Sequence, residues 1–177
     1  FDALQLDANL WIQLNLAQGQ ICNLQGECPQ ARESYQEVIA QLSTLPISAE
    51  VRLLKARAFR GVAESLEHEA PQGALEWLNG ALTELSGTGS EEEAAIYGKL
   101  GSVQIALGEY SAAQESLEKA LALLPDDEAS PFRSRALANL ATVYGTCGDI
   151  QQATVYTQQA LKISQQLDDY FQMLVLR

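Results

Sequence analysis

Residues 96–125 read "IYGKLGSVQIALGEYSAAQESLEKALALLP". Ile96, Leu100, Val103 and Leu107 recur at helical spacing, and Gly108 then interrupts them. Glycine suits the left-handed residue that ends a helix, having no Cβ to clash. A second helical pattern follows at once through Ala113, Leu117, Ala120, Leu121 and Leu124. Two helices joined by so short a turn lie antiparallel. The stretch holds no nucleophile-and-base pair and no metal-ligand cluster, so it reads as a builder of surface rather than a carrier of chemistry.

Sliding forward forty residues finds the pattern again. Leu140, Tyr144, Gly148, Ile150, Ala153, Ala160 and Leu161 fall on Leu100, Gln104, Gly108, Tyr110, Ala113, Ala120 and Leu121. Two earlier copies are more worn. Gly19, Gly26, Ala31 and Tyr35 stand where the third copy has Gly101, Gly108, Ala113 and Leu117. Ala74, Leu78, Ala81 and Leu82 occupy second-helix slots, but Glu69 replaces the turn glycine, and Pro71 suits the first turn of a new helix. That turn is expected to differ in shape, by about one residue. The units run over roughly 3–45, 48–86, 90–125 and 130–167, with 169–177 expected to begin a fifth. "SGTGS" and "PDDEAS" read as linkers. Ser90 and Glu93 form a capping box, and Ser130-Pro131 is a cap followed by proline. No alternating strand pattern persists, so the expected fold is all-α.

Charge narrows the partners. Against 11 Lys plus Arg stand 23 Asp plus Glu, a net charge of −12. Such a field repels phosphate backbones and anionic lipid heads, which excludes nucleic acid and membrane surfaces as bulk partners. Between Gly61 and Gly98 lie eight acidic residues and no Lys or Arg, a solvated face or a docking patch for a basic partner. Cys22, Cys28 and Cys147 are odd in number and lack CxxC spacing, as reduced thiols in the cytoplasm would. No 18-residue apolar run is present. An opening Phe1 and the closing "YFQMLVLR" suggest a piece of a longer protein.

In the third copy, Tyr97, Leu100, Gly101, Gly108, Tyr110, Ala113, Leu117, Ala120, Leu121 and Pro125 together resemble the tetratricopeptide repeat. The resemblance implies a right-handed α-α superhelix, a solenoid of about four hairpins plus the start of a fifth. Small residues let the helices approach, and Leu and Tyr fill the gaps. The period departs from the usual 34 or so: Ala81, Ala120 and Ala160 are 39 and 40 apart. Such long repeats resemble arrays in large bacterial signalling regulators.

The resemblance implies a non-catalytic scaffold that binds a protein or peptide on a concave side lined by first helices. Candidates by spacing are Phe59, Arg60 and Ala63 in the second unit, Lys99 and Ser102 in the third, and Arg135, Asn139 and Thr142 in the fourth. Leu16, Ala17, Gln20, Asn23 and Thr146 share those faces. Arg60, Lys99 and Arg135 are three of only eleven cations, so the groove suits an acidic peptide or a carboxylate, with Asn139 donating alongside. The competing reading makes them ordinary surface cations paired with nearby Glu. A different function class is an effector-sensing arm of a multidomain signal-transduction ATPase or transcriptional regulator.

Other residues read as structure. His68, the single histidine, has no second histidine and no Cys or Ser arranged with it for catalysis. Cys22 and Cys28 occupy slots held elsewhere by Tyr144 and Tyr110 and are expected in the core. Trp77 is expected to pack against the next unit, or to anchor an interface. "EEE" at 91–93 fits a helix start better than a metal site, and "GTGS" at 87–90 lacks the lysine of a phosphate loop. No catalytic, metal or cofactor residue is assigned. Exposed apolar faces on the terminal helices suggest a homodimer.

Overall fold

The computed structural model describes residues 2–125 and 130–175, with side chains for 8–125 and 130–168. Most of the "PDDEAS" linker and the side chains of "YFQMLVLR" lie outside the described residues. Eight helices and no strand occur among the described residues: α1 (Asp2–Gln25), α2 (Cys28–Leu42), α3 (Ala49–Leu66), α4 (Pro71–Leu85), α5 (Glu91–Ala106), α6 (Tyr110–Leu123), α7 (Pro131–Thr146) and α8 (Ile150–Val175). They form two compact units, Phe1–Gly87 and Thr88–Arg177.

Turn chemistry sets the pairing. Gly26, Gly108 and Gly148 have φ of 77°, 78° and 88°. After each, the N–H of Glu27, Glu109 or Asp149 donates to the carbonyl five residues back, at 2.8, 2.8 and 2.9 Å. This closure satisfies orphan carbonyls and folds the next helix back on the last. The α3–α4 turn departs, as Glu69 foretells. It spans 67–70, its Ala70 N–H reaches Leu66 O at 2.8 Å, and no non-glycine among the described residues has positive φ. Arg32 pairs with Glu69 at 3.0 Å, so the residue that displaced the glycine ties the turn to α2.

Helix starts follow the sequence with one change of partner. Ser90 Oγ accepts from Glu93 N–H at 3.2 Å, but the Glu93 carboxylate reaches past the cap to Gly89 N–H at 2.9 Å. Ser130 accepts from Phe132 N–H at 3.3 Å. Ser48, which the sequence pattern did not single out, caps α3 through Val51 N–H at 3.1 Å.

Each unit has its own core. In the first, Ile12 and Cys22 of α1, Tyr35 and Val38 of α2, and Leu54 and Val62 of α3 cluster together. The Tyr35 ring lies against Gly19 and Gly61, and a Cβ on Gly19 would stand 2.7 Å from it. In the second unit Gly101 admits Leu117 in the same way. The close approach aligned in the sequence as Gly19–Tyr35 and Gly101–Leu117 is therefore one physical device with two plugs.

Several expectations change. α8 runs unbroken to Val175, with no new helix beginning at 169. Cys22 is buried, whereas Cys28, at the start of α2, is half-buried, as is Tyr110 in the same slot. Trp77 is half-buried, its ring 5.5 Å from Phe59 of the preceding helix.

Candidate binding face

The first helix of a hairpin turns one side to its neighbours and leaves a strip outside. In α7 that strip is read off by exposure: Arg135, Ala138, Thr142 and Thr146 are exposed, and Asn139 is half-buried between them. Their spacing is one helical face. In α5 the half-buried Lys99 and Ser102, with exposed Ala106, stand forty residues before Asn139, Thr142 and Thr146. The two helices lie side by side within the second unit. Lys99 and Ser102 thus stand in register with Asn139 and Thr142 on the neighbouring helix, and Arg135 lies one turn before Asn139 on the same face.

The strip carries cations in a chain that is acidic as a whole. After Glu93, α5 carries Lys99 and no carboxylate, and α7 carries Arg133 and Arg135 and no carboxylate. Arg133 is turned to the end of α6, donating to Leu124 O at 3.3 Å. Arg135 is exposed and makes no ion pair among the described residues. Thr142 donates its hydroxyl to Ala138 O at 3.2 Å, and Thr146 to Thr142 O at 2.8 Å. Both hydroxyls keep lone pairs outward, so Thr142 is an acceptor and contact surface rather than a donor. Side-chain donors suited to an anion are Lys99, Arg135 and Asn139.

The first-unit candidates behave otherwise. Ala63 is fully buried, 0% exposed, and has no surface to offer. The face chosen by spacing at 63 is the packed one, because an alanine gives no sign of which neighbour it serves. Phe59 is half-buried against Trp77, with Lys55 Nζ 5.7 Å above its ring. Arg60 donates to Glu64 at 2.7 Å, with its side chain 14% exposed. Leu16 is likewise core, and Asn23 donates to Gly61 O at 3.1 Å, tying α1 to α3. The Arg60–Glu64 pair sits near the buried Tyr35 hydroxyl. Burial holds that phenol above its ordinary range, Glu64 pushes it further up, and Arg60 opposes.

Arg52 and Lys55, absent from the sequence candidates, border a surface hollow of about 400 Å³ with Leu45, Ile47 and Thr83. Both approach Glu84, at 3.6 and 3.2 Å. Nothing local in the sequence marks them, since Glu84 is a turn of the chain away on α4. His68 is exposed on the α3–α4 turn. Among the described residues no group of three or more His, Cys, Asp or Glu is placed to hold a metal, and no helix is long and apolar enough to cross a membrane.

Residues 94–127 and 134–167 match the tetratricopeptide repeat family model, the first match covering most of α5 and α6 and the second most of α7 and α8. The residues between them lie in the link to α7 and its first turn, where the long period places its surplus. No curated protein sequence matches the chain. Among solved structures, BtubC from P. vanneervenii is similar at 20% identity and TM-score 0.72, covering 91% of this chain and 66% of that one. The apo form of RapI is similar at 17% identity and TM-score 0.76, covering 90% and 57%. A Rap conjugation gene regulator of the plasmid pLS20, solved in complex with a Phr peptide, is similar at 18% identity and TM-score 0.60, covering 96% and 57%. The chain thus spans from somewhat over half to about two thirds of these structures' length, and at such identities the likeness is one of fold: an all-α helical-repeat superhelix.

Proposed function

We propose, from the premise that this chain is a tetratricopeptide-repeat protein, that it is a non-catalytic interaction module binding a protein or peptide. The face is the outer strip of α5 and α7, and the ligand presents acidic groups or a terminal carboxylate. The observation that carries this reading is the local reversal of charge: a carboxylate-free strip with Lys99 and Arg135 in a chain of net charge −12. An anion approaching acidic helices such as α4 and α6 meets repulsion, so the field favours this strip over them. Asn139 supplies a neutral donor beside Arg135, whose planar fork suits a carboxylate. Ser102 and Thr142 are contact surface.

The peptide complex of the structurally similar Rap regulator is consistent with a peptide as ligand. The module belongs in the cytoplasm, as the scaffold or regulatory part of a larger bacterial signalling protein. Phe59, Arg60 and Ala63 have no part in this face; their role is packing and an internal ion pair. Copies also pair through the terminal helices α1 and α8, which carry exposed aliphatic residues.

The test is fluorescence anisotropy with a labelled Glu- and Asp-rich peptide bearing a free C-terminal carboxylate. Reversal of both Lys99 and Arg135 to Glu should weaken binding by about tenfold or more, since a lost charge-assisted contact is worth roughly 1.5–3 kcal/mol. Binding unchanged by the double reversal contradicts the reading.

A further inference from the structure

The first unit has its own concentration of positive charge, on α3. Arg52, Lys55, Arg57 and Arg60 stand there against Glu50 and Glu64. Arg52 and Lys55 reach the hollow of about 400 Å³ that is lined by the α2–α3 link, the start of α3 and the end of α4. Part of its lining is aliphatic. Leu45 and Val51 pack on the core of the unit, and Ile47 beside them is 88% exposed.

The α2–α3 link is held, not loose. The N–H groups of Ser43, Thr44 and Leu45 donate to the carbonyls of Ile39, Gln41 and Leu42 at 3.0, 3.1 and 3.2 Å. Pro46 fixes its own φ, and Ser48 caps the helix that follows. The aliphatic lining is therefore in place before any ligand arrives, as it is in most small-molecule sites.

The charged lining is Arg52, Lys55 and Glu84, two cations against one carboxylate. Lys55 Nζ pairs with Glu84 at 3.2 Å. Arg52 is engaged at longer range, its Nε 3.6 Å from Glu84 and an Nη 3.5 Å from Thr83 O. A charge-assisted bond closes to about 2.7–2.9 Å, so neither contact uses the guanidinium fully. The last turn of α4 has no basic residue of its own, and its carbonyls take part of this charge. The planar fork of Arg52 still has N–H donors to give. Ser43 and Thr83 do not compete for an anion, since their hydroxyls donate to Ile39 O and Gly80 O at 2.7 and 2.6 Å.

We propose that this hollow binds a small aliphatic monocarboxylate. Its carboxylate bridges Arg52 and Lys55, and its chain lies on Leu45, Ile47 and Val51. Glu84 holds the two cations in position, and the ligand must share them with it. The proposal is independent of the reading given to α5 and α7, because an acidic peptide brings the charge without the aliphatic chain.

The experiment is amide NMR of the ¹⁵N-labelled 177-residue chain titrated with hexanoate. Shifts should centre on Leu45, Ile47, Val51, Arg52, Lys55 and Glu84. Hexanamide has the chain without the charge, and acetate the charge without the chain. Each should bind about tenfold more weakly or worse. Arg52→Gln should weaken hexanoate by about tenfold. Ile47→Ser, at an exposed position, should weaken it by about threefold with circular dichroism unchanged. Glu84→Gln should tighten it by about threefold, because a competing carboxylate is gone; a merely structural ion pair predicts no such gain. Hexanamide or acetate binding as tightly as hexanoate overturns the proposal, as does Glu84→Gln leaving affinity unchanged or lower in a folded chain. A ligand of this size binds at about millimolar strength, so the absence of shifts at these residues at about 20 mM hexanoate also overturns it.

Discussion

At the scale of single residues, fit around Tyr35 is the most demanding feature of the first unit. Its ring occupies the space that side chains on Gly19 and Gly61 would take. Gly61→Ala should destabilise the chain by about 1–3 kcal/mol, the usual cost of overpacking. Tyr35→Leu, which installs the plug used by Leu117, should recover part of that loss, a coupling readable in a double-mutant cycle by denaturant unfolding. Tyr35 also sets an alkaline limit. Burial raises its folded-state pKa, so the native chain holds this proton more tightly than the unfolded chain does. The stabilisation is complete below the unfolded value near 10 and is lost as pH rises above it, with a slope of roughly −1.4 kcal/mol per pH unit. Tyr35→Phe should flatten that slope in denaturant titrations from pH 9 upward.

Helices and turns were the part most legible in the sequence, because their determinants are local. Gly108 and Gly148 announce left-handed turns, and Ser90 and Ser130 announce caps, each within a few residues of the structure they cause. Glu69 marked the odd turn for the same reason. Gly108→Ala should therefore cost about 1–2 kcal/mol, the penalty of a Cβ in a left-handed residue. Glu69→Gly, which restores the repeat pattern, should give no gain: no left-handed residue is needed there, and the pair with Arg32 is lost. Comparing midpoints of denaturant unfolding for the two variants checks both. What the sequence concealed depends on non-local neighbours. Spacing alone could not tell that Ala63 is sealed, that Arg60 turns to Glu64, or that Trp77 leans on Phe59. Nor could it show α8 passing 169 without a break, since "QQLDDY" continues a helix as readily as it ends one.

For the whole molecule, the account rests on repetition without chemistry: hairpins whose packed sides build cores and whose outer strips are left to recognise something else. Of the eight candidates taken from spacing, the five on α5 and α7 keep partly or fully exposed side chains, whereas Ala63 is sealed, Phe59 packs on Trp77 and Arg60 pairs with Glu64. The proposed face is thus shorter than the sequence suggested and lies within the second unit. On that proposal, specificity comes from charge placed against the sign of the chain, and added salt should weaken binding. The most direct measurement is two-dimensional amide NMR of the ¹⁵N-labelled chain, titrated with an acidic peptide that has a free C-terminal carboxylate. The account predicts shifts concentrated at Lys99, Ser102, Arg135, Asn139 and Thr142 and weakened by added salt. Shifts centred on the first unit, or no shifts at all, would contradict it.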